Sequence, residues 1–538
     1  MKIIKILLVL IVLFISVSAV SAEGNFTALQ DEIDTSTDSI DINQNYVYDN
    51  GTDYKLNSGI LINKSDFTIN GNGYTIDGSN QARIFDITGN NVTISNLIFI
   101  NGNMTGGLGG ALHSSRLIIL NNVTFKDNTA DNGGAISATG DYIINNAIFT
   151  NNNASEDGGA IISWGKLTIN NATFTENTAS ASGGAIYAIG EITINSTLFA
   201  NNQADFGGAL NTWTNTIIDN TTFKNNKGEY GGAISAAGKT TISNAIFTNN
   251  TASENGGAID ERSETAIKNT AFTNNNASKN GGAIFTNGNS DQINCTFENN
   301  FANNGGAVYF NNGIKNSLIN STFNGNNATR SGGAIFIRGP AENNNITSEF
   351  NNNNAKAASG RAIFFYKNAE NNNITSTFTN NTASYGAGMF FYSESNNNTI
   401  NGYFTNNIAK SCGGAMFFYS KTNNNKFKGT FIHNEAQGLI DELNGNGGAI
   451  TFKNTSSNNI IEGNFIENSA RLYGGAVNYR MTAYNITIKG NFIVNNALSG
   501  GAINFFNGFE NVNITGKFIA NNATKGGAIA VNKADDTT

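Results

Sequence analysis

"FTNNTASENGGAID" (Phe247–Asp260) holds no histidine, cysteine or lysine, and versions of it recur along most of the 538-residue chain. "FTENTASASGGAIY" starts at Phe174, "FTNNNASKNGGAIF" at Phe272 and "FIENSARLYGGAVN" at Phe465. A Gly-Gly-Ala tripeptide, degenerate in places, begins at Gly109, Gly133 and Gly158 and continues to Gly526. Its intervals are 24 to 28 residues, apart from one of 34 that contains the acidic insertion Glu435–Asn446. A second anchor, Phe-x-x-Asn, lies 16 residues downstream of the glycines as far as Phe297, and 18 downstream from Phe323 onward. The array therefore divides into 103–304 with shorter arms and 305–538 with longer ones.

Inside each repeat, segments such as "GGAISATG" and "KLTINNATF" alternate apolar and polar residues with period two between Gly or Asn turns. That is strand patterning, with no helical period. Two or three short strands in so few residues cannot bury a core alone and must stack on neighbouring copies. Leucine-rich repeats have a similar length, but their leucine consensus and helical arm are absent. The expectation is an all-β chain, a single-stranded right-handed parallel β-helix of about twenty coils. Like positions would then stack at about 4.8 Å per rung, with the crossover hand that parallel connections favour.

Each anchor then has a structural duty. Phe125, Phe149, Phe247 and their equivalents form an interior aromatic ladder. Asn128, Asn152 and Asn250 sit at a corner where stacked amides satisfy turn backbone, a place where Asn tolerates the left-handed conformation. Gly133–Gly134 and Gly256–Gly257 supply positive φ or close backbone approach. Ahead of the array, residues 23–102 read as a cap and opening coils. Phe26, Leu29 and Ile33 lie at helical spacing, suited to a short helix over the open end. No capping segment is legible after "GGAIAVNK" (Gly526–Lys533). Residues 1–22 have the layout of a secretory signal: Lys2 and Lys5, an apolar run from Ile6, then Ser21 and Ala22 before a cleavage point. Cys295 and Cys412 fall at different places in the repeat and so lie beyond disulfide reach.

The paired tetrapeptides GGA[ILV] and FxxN resemble the repeat of the chlamydial polymorphic membrane proteins. The whole layout is similar to the adhesin-like surface proteins of methanogenic archaea, in which an "ITIDGNGHTIDG"-like segment precedes such repeats; here it is "FTINGNGYTIDG". The resemblance covers Asn25 to Lys533 and implies a β-helix displayed outside the cell for adhesion to glycans or proteins on host or neighbouring cells. No membrane barrel, Ig-like domain or wall-binding domain is recognised after the repeats, so the mode of anchoring is left open.

Net charge is −8 with the acidic residues scattered, which argues against a nucleic-acid surface. Two histidines, His113 and His433, are too few for a repeated metal site, and no motif asks for a cofactor. Exported β-helices that cleave polysaccharides need clustered carboxylates for Ca²⁺ with a basic residue, or a carboxylate pair. The densest charged knot, Asp260, Glu261, Arg262 and Glu264, has no second pair stacked beside it and reads as a solvated turn. The insertion carrying Glu435, Asp441 and Glu442 reads as a protruding loop. Sequons at Asn122, Asn171, Asn345 and Asn513 would permit N-glycosylation of an exported chain, although Asn corners beside Thr-rich strands create them for structural reasons too.

One feature exceeds what the scaffold needs. If Ile335, Ile363, Met389 and Met416 point inward, alternation sends Phe336, Phe364, Phe390 and Phe417 outward, with Arg338, Tyr366, Tyr392 and Tyr419 beside them. Phe285 and Tyr309 join the same outer column, which in the first half reads Ser137, Ile162, Tyr187, Asn211, Ser235 and Asp260. An exposed aromatic strip marks a binding surface, and flat rings suit sugar faces. Two alternatives stand beside this: the longer arms fold over the strip, or the ladder merely stabilises its sheet. The function expected is adhesin-like, non-enzymatic binding through a β-helix face. The alternatives are a polysaccharide lyase or hydrolase, and a purely structural rod.

Overall fold

Alternating segments become strands, and each strand pairs in parallel with its equivalent one coil on: Phe247 faces Phe272, and Ile259 faces Ile284. This computed structural model describes residues 23–355, 362–439 and 445–532. The signal-like segment, Gly360, Asp441, Glu442 and Lys533 lie outside the described residues. The result is a parallel β-solenoid, as the repeat predicts. A 19-stranded glycine face follows the Gly-Gly-Ala turns, a 30-stranded phenylalanine face carries the Phe column, and an alanine face runs as 4- and 10-stranded sheets. Nineteen rungs at about 4.8 Å make a rod roughly 90 Å long.

Helix α1 (Phe26–Thr35) is the one α-helix among the described residues. Asn25 caps it by accepting from the Ala28 N–H at 2.9 Å, and Phe26, Leu29 and Ile33 are buried against the opening coils, as their spacing predicts. Asp53 anchors the same end, accepting from the N–H groups of Phe26 and Thr27.

From Phe99 to Phe518 the interior phenylalanines stack in register. Successive centroids lie 4.6–5.0 Å apart and planes stay within 9°. The Asn column beside them is fully buried from Asn128 to Asn495 and hydrogen-bonded in both directions. Asn250 Nδ2 donates to the Phe223 carbonyl and to Asn275 Oδ1, each at 3.0 Å. Its own Oδ1 accepts from the backbone N–H and side chain of Asn226. Every amide hydrogen and carbonyl at this corner is thereby used, which is why burial of so polar a column is tolerated.

The left-handed conformation does not sit on these asparagines, contrary to expectation. It falls one residue earlier, on Asp127, Asn151 and Asn249, and also on His433 and Val494. The turn is made just before the buried Asn, whose amide then reaches both neighbouring coils. The two glycines divide their work: Gly256 has φ +66, whereas Gly257 lies so close to the next coil that a Cβ there would meet the Gly282 oxygen at 2.0 Å.

The longer arms of the second half build something new. A narrow 8-stranded corner sheet runs from Ile314–Lys315 to Phe509–Glu510, between the glycine and phenylalanine faces in chain order. It has its own buried Asn column: Asn344 Nδ2 donates to the Ile314 carbonyl and to Asn372 Oδ1, and Asn372, Asn398 and Asn425 repeat the pattern. The arms form this sheet rather than a cover over the aromatic column. Cys295 and Cys412 are both buried and free.

Candidate functional site

Period-two alternation holds on the glycine face. Ile335, Ile363, Met389 and Met416 are completely buried inside, and the next residue of each strand points away from the core. Phe285, Tyr309, Phe336, Phe364, Phe390 and Phe417 therefore form one outer column, with neighbouring centroids 4.8–5.4 Å apart. The expected open strip is nevertheless closed, because these six residues are only 3–8% exposed. Neighbouring rings pack against one another, face to face at three steps, edge-on at Phe336–Phe364 and tilted at Phe390–Phe417. Cys412 and Tyr385 pack along the Phe390–Phe417 end, and the tyrosines two positions on lie edge-on against the phenylalanines.

Those tyrosines are the open part. Tyr366, Tyr392 and Tyr419 are 38–40% exposed and stack at 5.3 and 4.9 Å. The ladder ends at Lys453, whose Nζ lies 3.8 Å from the Tyr419 ring centroid, a cation–π contact. Arg338 precedes it and donates to Asn311 Oδ1 at 2.8 Å. The predicted ten residues thus come together as a buried second core (the Phe column and Tyr309) beneath a ridge (Arg338 and the three tyrosines).

The same ridge carries two residues that sequence reading passed over, Trp164 and Trp213, exposed by 37% and 52%. In "GGAIISWG" and "GGALNTWT" they stand three residues after the inward Ile161 and Leu210, the register of Tyr366 after Ile363. Aligning the repeats on that position would have found them.

The acidic knot corrects its reading as a solvated turn. Asp260 and Glu261 are buried, leaving only Arg262 and Glu264 exposed. Register decides this. Glu261 takes an inward position, paired with Ala236 and facing Thr286, while Asp260 occupies the outer column between Ser235 and Phe285. The two carboxyls point to opposite sides of one strand, so the knot is not an acid–base pair. Burial pushes Asp260 up to about 7, moderated by Arg262. It pushes Asp291 up to about 6 despite hydrogen bonds from the Thr265 N–H and the Thr286 hydroxyl, and Glu261 well above the usual carboxylate range.

Because these folded-state values are raised, the folded chain keeps protons that the unfolded chain has released between about pH 4 and 7. Their contribution to stability is complete below about pH 4 and is lost as pH rises through the folded values. Asp260→Asn is expected to raise the melting temperature at pH 8 by a few degrees while leaving it nearly unchanged at pH 4.5. Equal shifts at both pH values in thermal unfolding would contradict this.

The sequon asparagines Asn122, Asn171, Asn345 and Asn513 are exposed. Asn122 and Asn171 donate to Asn96 and Asn146 of the preceding coils, forming an outer ladder of their own.

Seven stretches, residues 122–139, 171–189, 220–237, 244–260, 269–287, 294–311 and 320–338, match the model of the Chlamydia polymorphic membrane protein repeat. No curated protein and no solved structure matches the chain. Each matched stretch runs through a Phe-x-x-Asn corner or a Gly-Gly-Ala turn, or both, so the similarity lies in the scaffold. All seven end before Phe364 and the tyrosine ladder.

Proposed function

We propose that this chain is an exported, surface-displayed rod that binds glycans on neighbouring or host cells through the ridge of its glycine face, without turning them over. The observation that carries the reading is the exposed stack of Tyr366, Tyr392 and Tyr419 on a bed of buried phenylalanines. Rings held in place by a packed underlayer lose little conformational entropy on binding, and their flat faces suit the apolar faces of sugar rings. Likeness to the polymorphic membrane protein repeat and the signal-like residues 1–22 support a surface location. The second reading, a polysaccharide-active enzyme, would need carboxylates grouped on one open face.

A glycan array comparing the wild-type protein with Tyr366→Ala/Tyr392→Ala/Tyr419→Ala tests the proposal. The variant is expected to lose at least about ten-fold in affinity for bound glycans, as centrally placed aromatic anchors do. Undiminished binding would overturn the ridge as the site, and release of new reducing ends from any glycan would overturn the non-enzymatic reading.

A further inference from the structure

A different face carries a long groove that the tyrosine ridge does not use. On the outside of the phenylalanine face an open crease of about 880 Å³ crosses seven coils, from Asn244–Ile246 to Asn401–Tyr403. A second hollow of about 380 Å³ continues it past Lys428–Thr430 to Glu462–Asn464. Together they span nine coils, roughly 38 Å along the rod at about 4.8 Å per rung.

The crease has a local cause. Where the inward sequence passes from Ile to Phe, as in Ile374 to Phe378, the residue between is small: Ser321, Ser348 and Ser376, then Gly402, Gly429 and Gly463. With no bulk beneath it, the sheet folds toward the core. The serine hydroxyls are consumed in doing so. Ser348 Oγ donates to the Ile319 carbonyl and accepts from the Ser321 N–H. At Gly402 a Cβ would meet the Ser376 oxygen at 2.3 Å. The floor is therefore closed backbone, and a ligand would meet the walls. These are outward amides and hydroxyls repeated at every rung, among them Asn320, Thr347 and Thr375 on one side and Thr322 and Thr377 on the other. Tyr403, 64% exposed, stands where the two hollows meet.

This lining selects a chemical class. Glu349 is the single charged residue along the 880 Å³ crease, and Lys428 and Glu462 in the continuing hollow carry opposite charges, so the lining does not select a polyelectrolyte. An extended peptide would seek unpaired strand backbone, but strands here are paired on both flanks, as Asn373–Thr379 is with 345–351 and with Thr399–Thr405. A chain of sugars needs only side-chain donors and acceptors plus a ring to stack on. Extended pyranose chains also advance by about one sugar per rung spacing, which would let each coil repeat the contacts of the last.

We propose that the crease is a second binding site, independent of the tyrosine ridge, for a single extended chain of an uncharged polysaccharide lying along the rod axis. The test is isothermal titration of the whole protein with cello-, manno-, laminari- and malto-oligosaccharides of two to ten sugars. For one series, affinity is expected to climb with length and level off at about seven to nine sugars, one per coil. Thr347→Arg/Thr377→Arg, which fills the crease from its outer walls, is expected to lower affinity for the longest oligomer at least ten-fold, and Tyr403→Ala to lower it several-fold. Both variants should keep the wild-type melting temperature, and the triple tyrosine variant should bind the long oligomer as the wild type does. Absence of length-dependent binding in all four series would overturn the proposal. So would binding untouched by both crease variants, or binding lost only in the triple tyrosine variant, which would assign these sugars to the ridge.

Discussion

Asn250→Ala is expected to destabilise its part of the rod by about 3–9 kcal/mol, since three buried groups lose their partners at about 1–3 kcal/mol each. The Asn226 backbone N–H and one Asn226 side-chain hydrogen lose Asn250 Oδ1, and the Phe223 carbonyl loses the Asn250 amide. Water cannot replace them, because Asn226, Asn250 and Asn275 are fully enclosed. Asn250→Asp is a sharper comparison: shape and acceptor remain, but the donor to Phe223 is lost and a charge is placed among carbonyls, so its cost at neutral pH should be at least as large. In a solenoid each coil touches only its neighbours, and the damage should be local. Hydrogen exchange is expected to accelerate in coils containing residues 223–275 and to stay at wild-type rates around Phe465–Asn495. A loss below about 1 kcal/mol, or acceleration spread evenly along the rod, would refute the role assigned to the column.

Gly257→Ala is expected to cost about 2–4 kcal/mol, combining overpacking of about 1–3 kcal/mol with a weakened inter-coil hydrogen bond of about 1. The added methyl would lie 2.0 Å from the Gly282 oxygen and 2.7 Å from backbone atoms of Asn276, with no flexible side chain able to yield. Relief requires separating two coils where Gly257 N–H donates to the Gly281 carbonyl at 3.0 Å. Its neighbour Gly256 is constrained differently, by a φ of +66 as well as by the Ile259 oxygen. D-alanine at 256, introduced by semisynthesis, would ease the φ constraint there, a constraint that Gly257 does not share. Thermal unfolding of Gly257→Ala within about 1 kcal/mol of wild type would show that the coils separate cheaply.

Similarity to the polymorphic membrane protein repeat runs through these structural columns and ends at residue 338. Phe125, Asn128 and Gly133 are what the matched stretches share, and they are interior or at turns. The tyrosine ladder Tyr366, Tyr392 and Tyr419 lies beyond the matched stretches, and the crease runs from within them to beyond them.

Period and spacing alone specify the coil length, the parallel stacking, the identity of the Phe, Asn and Gly columns, and the side of the strand on which Phe336 or Met389 lies. They do so because in a solenoid every copy must present the same residue at the same place to the copies above and below, so that one period dictates every register. Exposure was a separate matter. Phe364 and Phe390 point outward yet are covered, because neighbouring rings and edge-on tyrosines from adjacent coils enclose them. Glu261 looks solvated among its charged neighbours but faces the core, since its place in the rung, not its polarity, sets its direction. The crease depends on how far a sheet sinks over a run of Ser and Gly, a sum over many stacked coils that no single repeat contains. Local periodicity determines where side chains point; contacts between coils, far apart in the chain, determine what still reaches them.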